Sequence, residues 1–258
     1  MEAYIGKLMK VLKLSGQIIL ENGGETYRAE ETIQYIGNSL GVKEIDSLAT
    51  PTGIYITISL DGIDNHTVIK RIKKRTIHLE KLYEVNNLSR QISENSISLE
   101  EAEERLEMII NSSNSNSPLG LLYGALTTAF FTILFGGRIF DFIISFFIGF
   151  LVTLINRKFQ SIHSYHFVSN LVIGIVVASI AISSAFLTGL GNYKLIILGS
   201  MMPQLPGLAM TNAIRDTIRG DLVSGVTRTA EAILISASLA VGSGVILSIA
   251  YSMSLVSI

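Results

Sequence analysis

Two patterns of apolar and polar residues follow each other along the 258-residue chain. In the first part, apolar residues recur at every second or every third to fourth position, which is typical of strands and helices with one buried face. This spacing predicts helices over 3–21 and 25–40, strands over 52–60 and 68–74, and helices over 77–91 and 99–110. In the clearest strand, Ile54, Ile56 and Ile58 alternate with polar positions, and a turn is expected at Asp61-Gly62. The first 110 residues are therefore predicted to form a small α+β domain.

From Pro118 onward the apolar residues form long runs, which follow a segment at 111–117 made only of Asn and Ser. Such runs are typical of helices that cross a bilayer, since one crossing needs about 20 predominantly apolar residues. The expected spans cover 118–135, 139–155, 167–187, 195–210 and 232–251. The sequence thus predicts an α+β domain over 1–110, a linker over 111–117 and an all-α transmembrane bundle of five spans over 118–258.

Charge is distributed as unevenly as hydropathy. Residues 1–117 contain 13 Lys/Arg and 17 Asp/Glu, whereas residues 118–258 contain 7 and 4. Lysines interrupt the apolar residues near the N-terminus, so no signal peptide is expected there. With the N-terminus inside, the short cytoplasmic loops hold five basic residues and the opposite loops hold two, which predicts a cytoplasmic N-terminal domain on the cell inner membrane. The net charge of −1 gives no indication of a nucleic-acid partner.

The fourth apolar run contains Pro203 and Pro206. Each proline removes a backbone donor and clashes with the preceding turn of a helix. Within a bilayer, the freed carbonyl groups need other partners, and transporters use such broken helices at substrate sites. We therefore expect Pro203, Gln204, Pro206 and Gly207 to lie at a substrate pathway, the alternative being a kinked helix followed by a surface turn.

Ionisable residues follow this break. Asp221, Ser224, Arg228 and Glu231 have the spacing of one helical face, and Arg215 and Arg219 form a second pair. A charge in mid-membrane costs about 2.5–3.5 kcal/mol, so these groups should pair with one another or face water. Two arginines could also bind the carboxylate of an anionic substrate. The alternative is a cytoplasmic loop whose arginines only set the topology.

A further polar group lies at the start of the second predicted helix. It consists of Glu25, Thr26, Tyr27, Arg28 and Glu30. A helix N-terminus favours negative charge, so the residues by themselves predict a helix-cap turn. The chain has no cysteine and no known catalytic or nucleotide-binding motif, so no enzyme activity, cofactor or metal site is expected.

Four segments together suggest a family. They are Gly23-Gly24-Glu25-Thr26-Tyr27-Arg28-Ala29-Glu30, Thr50-Pro51-Thr52-Gly53, Pro203-Gln204-Leu205-Pro206-Gly207, and Asn212-Ala213-Ile214-Arg215-Asp216 continuing through Gly220-Asp221, Ser224-Gly225 and Arg228. In these segments the chain resembles the threonine/serine exporter family (ThrE-like), specifically its shorter subunit type, in which one transporter is divided between two proteins. The order and spacing match over roughly residues 5–250. Gly24 stands where the family is expected to have a small residue such as alanine.

The resemblance implies a subunit of a secondary exporter that moves threonine and serine, or a dicarboxylate such as succinate, across the membrane. It also implies a second small membrane subunit and therefore an oligomer in the lipid bilayer. Carried onto this sequence, the last segment places Asn212, Arg215, Asp216, Asp221 and Arg228 at the transport pathway or its cytoplasmic gate.

Two other classes of function stay open at this point. In one, the protein is a membrane-anchored sensor or scaffold whose N-terminal domain binds a regulator. In the other, it is a membrane-anchored enzyme with Glu25, Tyr27, Arg28 and Glu30 at its site.

Overall fold

The computed structural model describes residues 2–60, 63–112, 117–161 and 166–255. The chain forms two compact units. The first, here called the N-terminal unit, consists of Met1–Asn114 and Leu208–Ala230. The second, the apolar unit, consists of Ser115–Gly207 and Glu231–Ile258. A segment that the sequence placed in the transmembrane domain thus packs with the N-terminal residues.

The N-terminal unit contains all the helices that the spacing predicted, with shifted ends, and one additional strand. Its elements before the apolar helices are α1 (Glu2–Glu21), α2 (Thr26–Ser39), β1 (Glu44–Thr50), β2 (Gly53–Leu60), β3 (Ile63–Arg71), α3 (Leu79–Ser93) and α4 (Leu99–Asn111). α4 begins where the capping pattern predicts, because the Ser98 hydroxyl oxygen accepts the N–H of Glu101 at 3.2 Å.

The three strands form an antiparallel sheet in the order β1-β2-β3. Ile54, Ile56 and Ile58 are buried on one face, as their alternation predicts. On the other face Tyr55 lies opposite both Leu48 and Ile69, and all three are exposed. The sheet therefore has one face in the core and one open face.

Two predictions about the sheet need correction. β1 was not predicted, because an edge strand with one open face can be built from acidic and small residues without an apolar alternation. The strand predicted over 68–74 begins earlier, at Ile63, and ends at Arg71. The expected Asp61-Gly62 turn lies outside the described residues, as does most of the predicted linker over 111–117.

α1 is the centre of this unit. α2, α3, α4 and the sheet all pack against it, and Leu8, Leu12 and Ile18 have no exposed surface. The lysines at its solvent edge pair with α4: Lys7 Nζ lies 2.8 Å from Glu100 Oε1 and Lys10 Nζ lies 2.6 Å from Glu103 Oε1. The core supplies most of the stability here, since exposed ion pairs contribute at most about 1 kcal/mol.

The remaining elements are helical. They are α5 (Pro118–Leu134), α6 (Ile139–Ser161), α7 (His166–Thr188), α8 (Tyr193–Met201), the 3₁₀ turn Met202–Gln204, α9 (Gly207–Ile218) and α10 (Leu222–Ser252). Among the described helices, α6, α7 and α10 are long and apolar enough to cross a membrane, and α5 is a shorter apolar helix.

The fourth predicted span, 195–210, does not form one helix. α8 has nine residues, so it is about 14 Å long, less than half of the roughly 30 Å of hydrocarbon. α10 is at the other extreme: its 31 residues correspond to about 46 Å. Its first nine residues belong to the N-terminal unit, and residues 231–252 are still enough for one crossing.

A buried carboxylate organises one end of the apolar unit. Asp141, at the start of α6, is 1 % exposed. Its Oδ2 accepts the N–H of Arg138 and its Oδ1 accepts the N–H of Asn192, both at 2.8 Å. This side chain therefore caps α6 and fixes the loop that precedes α8.

Small residues bring α7 and α10 together in the apolar unit. A Cβ atom at Gly174 would lie 2.6 Å from the carbonyl oxygen of Leu239, and one at Gly242 would meet the carbonyl oxygen of Leu171. The two backbones are thus closer than any larger residue permits, which is the usual way for helices to associate where lipid removes the hydrophobic drive.

Gly242→Leu should lower the thermal unfolding midpoint of the detergent-solubilised protein by several degrees, because overpacking of this kind costs about 1–3 kcal/mol. Gly244→Leu is the matched control, since a Cβ atom there has no neighbour within 4 Å. Equal midpoints for the two variants would show that α7 and α10 do not depend on this contact.

Candidate functional site

The N-terminal unit brings two of the sequence segments together. One is the turn between α1 and α2 with the first turn of α2, residues 23–31. The other is α9 with the first turns of α10, residues 212–228. They are about 190 positions apart, as the contact between Thr26 and Asp216 shows. We call the polar residues that meet here the α2–α9–α10 cluster: Glu25, Thr26, Glu30, Asn212, Arg215, Asp216, Asp221 and Arg228.

A buried ion pair lies at the centre of the cluster. Arg228 is 6 % exposed and Asp216 is fully buried. Arg228 Nε lies 3.0 Å from Asp216 Oδ2, in an orientation that makes an ion pair without an aligned hydrogen bond. Arg228 Nη2 donates to the carbonyl oxygen of Gly24 at 2.8 Å. One arginine of α10 thus binds both α9 and the α1–α2 turn.

Thr26 joins two carboxylates. Its buried hydroxyl oxygen lies 3.1 Å from Asp216 Oδ1 and 3.2 Å from Asp221 Oδ2. A hydroxyl has one proton to donate, so both contacts are favourable only when one carboxyl group is protonated and donates to Thr26. Burial raises the pKa of Asp216, and the nearby Arg228 and the Thr26 hydrogen bond offset only part of this effect.

Glu25 binds the arginine of α9. Arg215 Nη1 lies 2.6 Å from Glu25 Oε1, and Arg28 Nη1 lies 3.5 Å from Glu25 Oε2. Burial raises the pKa of Glu25, but its own backbone N–H, Arg215 and Arg28 together bring that pKa below the ordinary value. Glu25 stays ionised at neutral pH and holds α9 against the start of α2.

Glu30 completes the acidic side of the cluster. Its Oε1 accepts the backbone N–H of Ala49, in β1, at 2.6 Å. Burial raises the pKa of Glu30; the hydrogen bond from Ala49 lowers it, and the nearby Asp221 and Asp216 raise it further. Two carboxyl groups of the cluster, those of Glu30 and Asp216, therefore have raised pKa values.

Glycines make the close approach possible. Gly23 has φ +90°, a conformation that favours glycine, and its carbonyl oxygen accepts Asn212 Nδ2 at 2.9 Å. A Cβ atom at Gly24 would meet the Ile19 side chain and lie 2.9 Å from the Ile19 carbonyl oxygen. This contact accounts for glycine at the position where the family resemblance leads us to expect a small residue. A Cβ atom at Gly225 would lie 3.0 Å from the carbonyl oxygen of Ala213, so α9 and α10 also approach closely.

An outer pair at the surface was not predicted. Arg219 Nη1 lies 3.0 Å from Glu31 Oε1, and its guanidinium lies 3.6 Å from the centre of the Tyr27 ring. Only the tyrosine was among the predicted site residues. Because the partners are distant in the sequence, no local spacing could have indicated the pair.

The predicted site residues are divided between the two units. Asn212, Arg215, Asp216, Asp221 and Arg228 lie in the N-terminal unit, whereas Pro203, Gln204, Pro206 and Gly207 lie in the apolar unit. The prolines interrupt the helix as their chemistry requires, and Gln204 Oε1 accepts Asn156 Nδ2 at 2.9 Å. Their place on a substrate pathway stays a prediction. Within the described residues, no group of three His, Cys, Asp or Glu side chains is arranged to hold a metal ion.

Comparison with known families decides the wider identity. The family model ThrE, described as "Putative threonine/serine exporter", matches residues 10–250, which include every residue of the cluster. The chain belongs to the threonine/serine exporter family. No match was found among curated proteins, and no solved structure matches the chain.

This match confirms the resemblance to the exporter family, though not to its shorter subunit type, and makes this chain a membrane transport protein. Two of the four segments that carried the resemblance meet in the N-terminal unit. The first and the last of them form the α2–α9–α10 cluster, and Thr50-Pro51-Thr52-Gly53 forms the turn between β1 and β2.

Replacing one partner of the central ion pair should destabilise the N-terminal unit strongly. Arg228→Gln or Asp216→Asn is expected to cost about 3–5 kcal/mol, since each leaves a buried charge without its partner. The measurement is the free energy of opening of α2 amides by hydrogen exchange. The double variant should cost less than the sum of the single ones. Arg105→Gln is the control, because the ion pair of Arg105 with Glu101 is exposed and worth at most about 1 kcal/mol. Strict additivity of Arg228→Gln and Asp216→Asn would argue against a direct pair between these two residues.

The raised pKa values of Glu30 and Asp216 give a pH dependence with a definite sign. The folded unit favours the protonated form of these two groups, so their contribution to stability is fully present below their ordinary pKa values. It is lost as the pH rises through the raised ones. Hydrogen-exchange protection of Ala49 and Thr26, corrected for intrinsic rates, should therefore increase as the pH falls from 7 to about 5.

Glu30→Gln should reduce this pH dependence, because glutamine cannot titrate over the range. The pKa of Glu25 is lowered, so its protonation destabilises the folded unit. This opposite effect sets in only when the pH falls below the ordinary pKa of a glutamate. If protection in the unmodified protein decreases as the pH falls from 7 to 5, the pKa values of these carboxyl groups are not raised in the folded unit.

Proposed function

We propose that this protein is a subunit of a secondary exporter of threonine and serine, and that the α2–α9–α10 cluster is its cytoplasmic gate. The observation that carries the proposal is the bond that joins the start of α10 to α9 and to the α1–α2 turn: Arg228 binds Asp216 and the Gly24 carbonyl oxygen in a buried site. α10 continues from this point into one of the candidate membrane-spanning helices. A change in the cluster therefore acts directly on a helix long enough to cross the bilayer.

The contacts support a gate better than a substrate-binding site. The acceptors and donors at the centre already bind one another: Arg228 with Asp216, Thr26 with both aspartates. A substrate carboxylate would have to displace Glu25 to reach Arg215. The same contacts argue against the enzyme alternative, since Glu25 is engaged by Arg215 rather than free for catalysis.

A link to the proton gradient follows from the same residues. Thr26 can satisfy both Asp216 and Asp221 only when one of them carries a proton. Protonation at this point would strengthen the contact between α2 and α9, and release of the proton would weaken it. Export driven by a proton gradient needs a group of this kind, one whose protonation changes the stability of one state of the transporter relative to another.

The finer features of the proposal rest on the sequence and the family resemblance. We place the N-terminal unit in the cytoplasm at the inner membrane, because the basic residues of the short loops favour that side. We further propose that the protein works as an oligomer with a second small membrane subunit. A dicarboxylate such as succinate is the alternative substrate.

The test is efflux of labelled threonine, serine and succinate from loaded cells, with and without a neighbouring small membrane protein. Arg215→Ala and Asp221→Ala should each lower efflux about tenfold or more, since about 1.4 kcal/mol shifts a two-state equilibrium tenfold. Membrane insertion should not change. Exchange of the pair, Glu25→Arg with Arg215→Glu, should restore part of the efflux that either single change removes.

Arg105→Ala is the control variant, because Arg105 forms an ion pair with Glu101 outside the cluster. Full efflux from both Arg215→Ala and Asp221→Ala would refute the gate. No efflux of any of the three compounds, with or without the second protein, would favour the sensor or scaffold alternative.

A further inference from the structure

The end of β3 and the residues that follow it carry a concentrated positive charge that the gate does not use. Lys70, Arg71, Lys73, Lys74 and Arg75, here called the basic rim, are five of six consecutive residues. An open cavity of about 510 Å³ is lined by Arg71, Lys73 and Arg75 with Thr52 and Ile72. Lys70, Arg71, Lys73 and Lys74 form no ion pair with any residue that the structure describes.

Exposed apolar side chains accompany this charge. Ile69 is 64 % exposed, Ile77 62 %, Leu79 66 % and Tyr83 70 %. Ile69 directly precedes the basic rim in the chain, and the other three follow it within eight residues. A soluble anion would need the basic groups but gives no reason for exposed apolar residues beside them. Positive charge with adjacent apolar side chains is the combination that binds the headgroup region of an anionic bilayer.

Contacts within the N-terminal unit link the residues that follow the basic rim to segments that lead into the apolar helices. The N–H of Thr76 donates to the Glu21 carbonyl oxygen at 2.7 Å and that of His78 to the Asn22 carbonyl oxygen at 3.2 Å. These acceptors directly precede Gly23 and Gly24, which bind Asn212 and Arg228 at the start of the last helices.

The segment that leads to α5 is bonded to a residue near the basic rim as well. Lys81, only six residues after the rim, is 8 % exposed, and its Nζ donates to the carbonyl oxygens of Ile110 and Ser112 at 3.1 and 2.8 Å. α5 of the apolar unit begins at Pro118, shortly after Ser112. The residues that follow the basic rim are therefore bonded to Glu21, Asn22, Ile110 and Ser112 within the N-terminal unit, and the last two lie a few residues before α5 in the chain.

We propose that the basic rim, with Ile77 and Leu79, docks on anionic phospholipid headgroups of the bilayer that holds the apolar helices. The basic groups bind lipid phosphates, and the two apolar side chains insert at the level of the headgroups. Docking holds the end of the unit that carries the gate against the membrane surface, and it does not depend on which substrate the exporter moves.

The absence of cysteine permits a site-specific test on the full chain. Ile77→Cys, labelled with an environment-sensitive fluorophore, is placed in nanodiscs of phosphatidylcholine alone or with phosphatidylglycerol. The emission should shift to the blue only with the anionic lipid, and high salt should reverse the shift. Glu94→Cys is the matched control: it is exposed just after the last residue of α3, whereas Ile77 lies just before the first, and its label should not respond.

Neutralising the rim tests the charge directly. Arg71→Gln, Lys73→Gln and Lys74→Gln together should lower the ratio of docked to free states on the order of a hundredfold, since each basic residue near an anionic surface contributes about fivefold. Neutralising Lys13, Arg90 and Arg105 instead should leave the shift unchanged. Equal emission in both lipids, an equal response at residue 94, or a shift that appears only when the second membrane subunit is added would each overturn the proposal.

Discussion

The buried pair of Asp216 and Arg228 is the interaction on which the arrangement of the N-terminal unit depends. An ionised group in a medium of low dielectric constant is unfavourable unless a partner of opposite charge and further hydrogen bonds accompany it. Arg228 has that partner in α9 and a backbone acceptor in the α1–α2 turn, and Asp216 has the Thr26 hydroxyl. The pair can therefore exist only where three separate elements meet, and it fixes the start of α10 on the N-terminal residues.

Close approach of backbones is the second requirement, and glycine meets it in both units. In the N-terminal unit, Gly225 lets α9 and α10 approach closely, and the turn that contains Gly23 and Gly24 presents their carbonyl oxygens to Asn212 and Arg228. In the apolar unit, Gly174 and Gly242 do the same for α7 and α10. α10 thus makes close glycine contacts in both units, through Gly225 against α9 and through Gly242 against α7.

This arrangement gives the family segments a physical role. In an exporter, a cytoplasmic gate must hold in one state and release in another, and both states must differ by only a few kcal/mol. A buried cluster that contains two carboxyl groups with raised pKa values, Glu30 and Asp216, has this property, because adding or removing a proton changes how well its hydrogen bonds are satisfied. The exposed pair of Arg219 and Glu31 adds little to that balance.

The sequence by itself determined the local elements and the family. Apolar spacing located the helices, the alternation of Ile54, Ile56 and Ile58 located β2, and the prolines located the break after α8, because each of these depends on neighbours within a few positions. Tertiary structure decided that β1 forms at all, that residues 208–230 return to the N-terminal unit, and that Thr26 meets Asp216. The sequence placed most of that segment in a loop between the fourth and fifth expected spans, because local spacing does not reveal which distant residues its charged side chains meet. Partners about 190 positions apart become neighbours only through the packing of the whole unit.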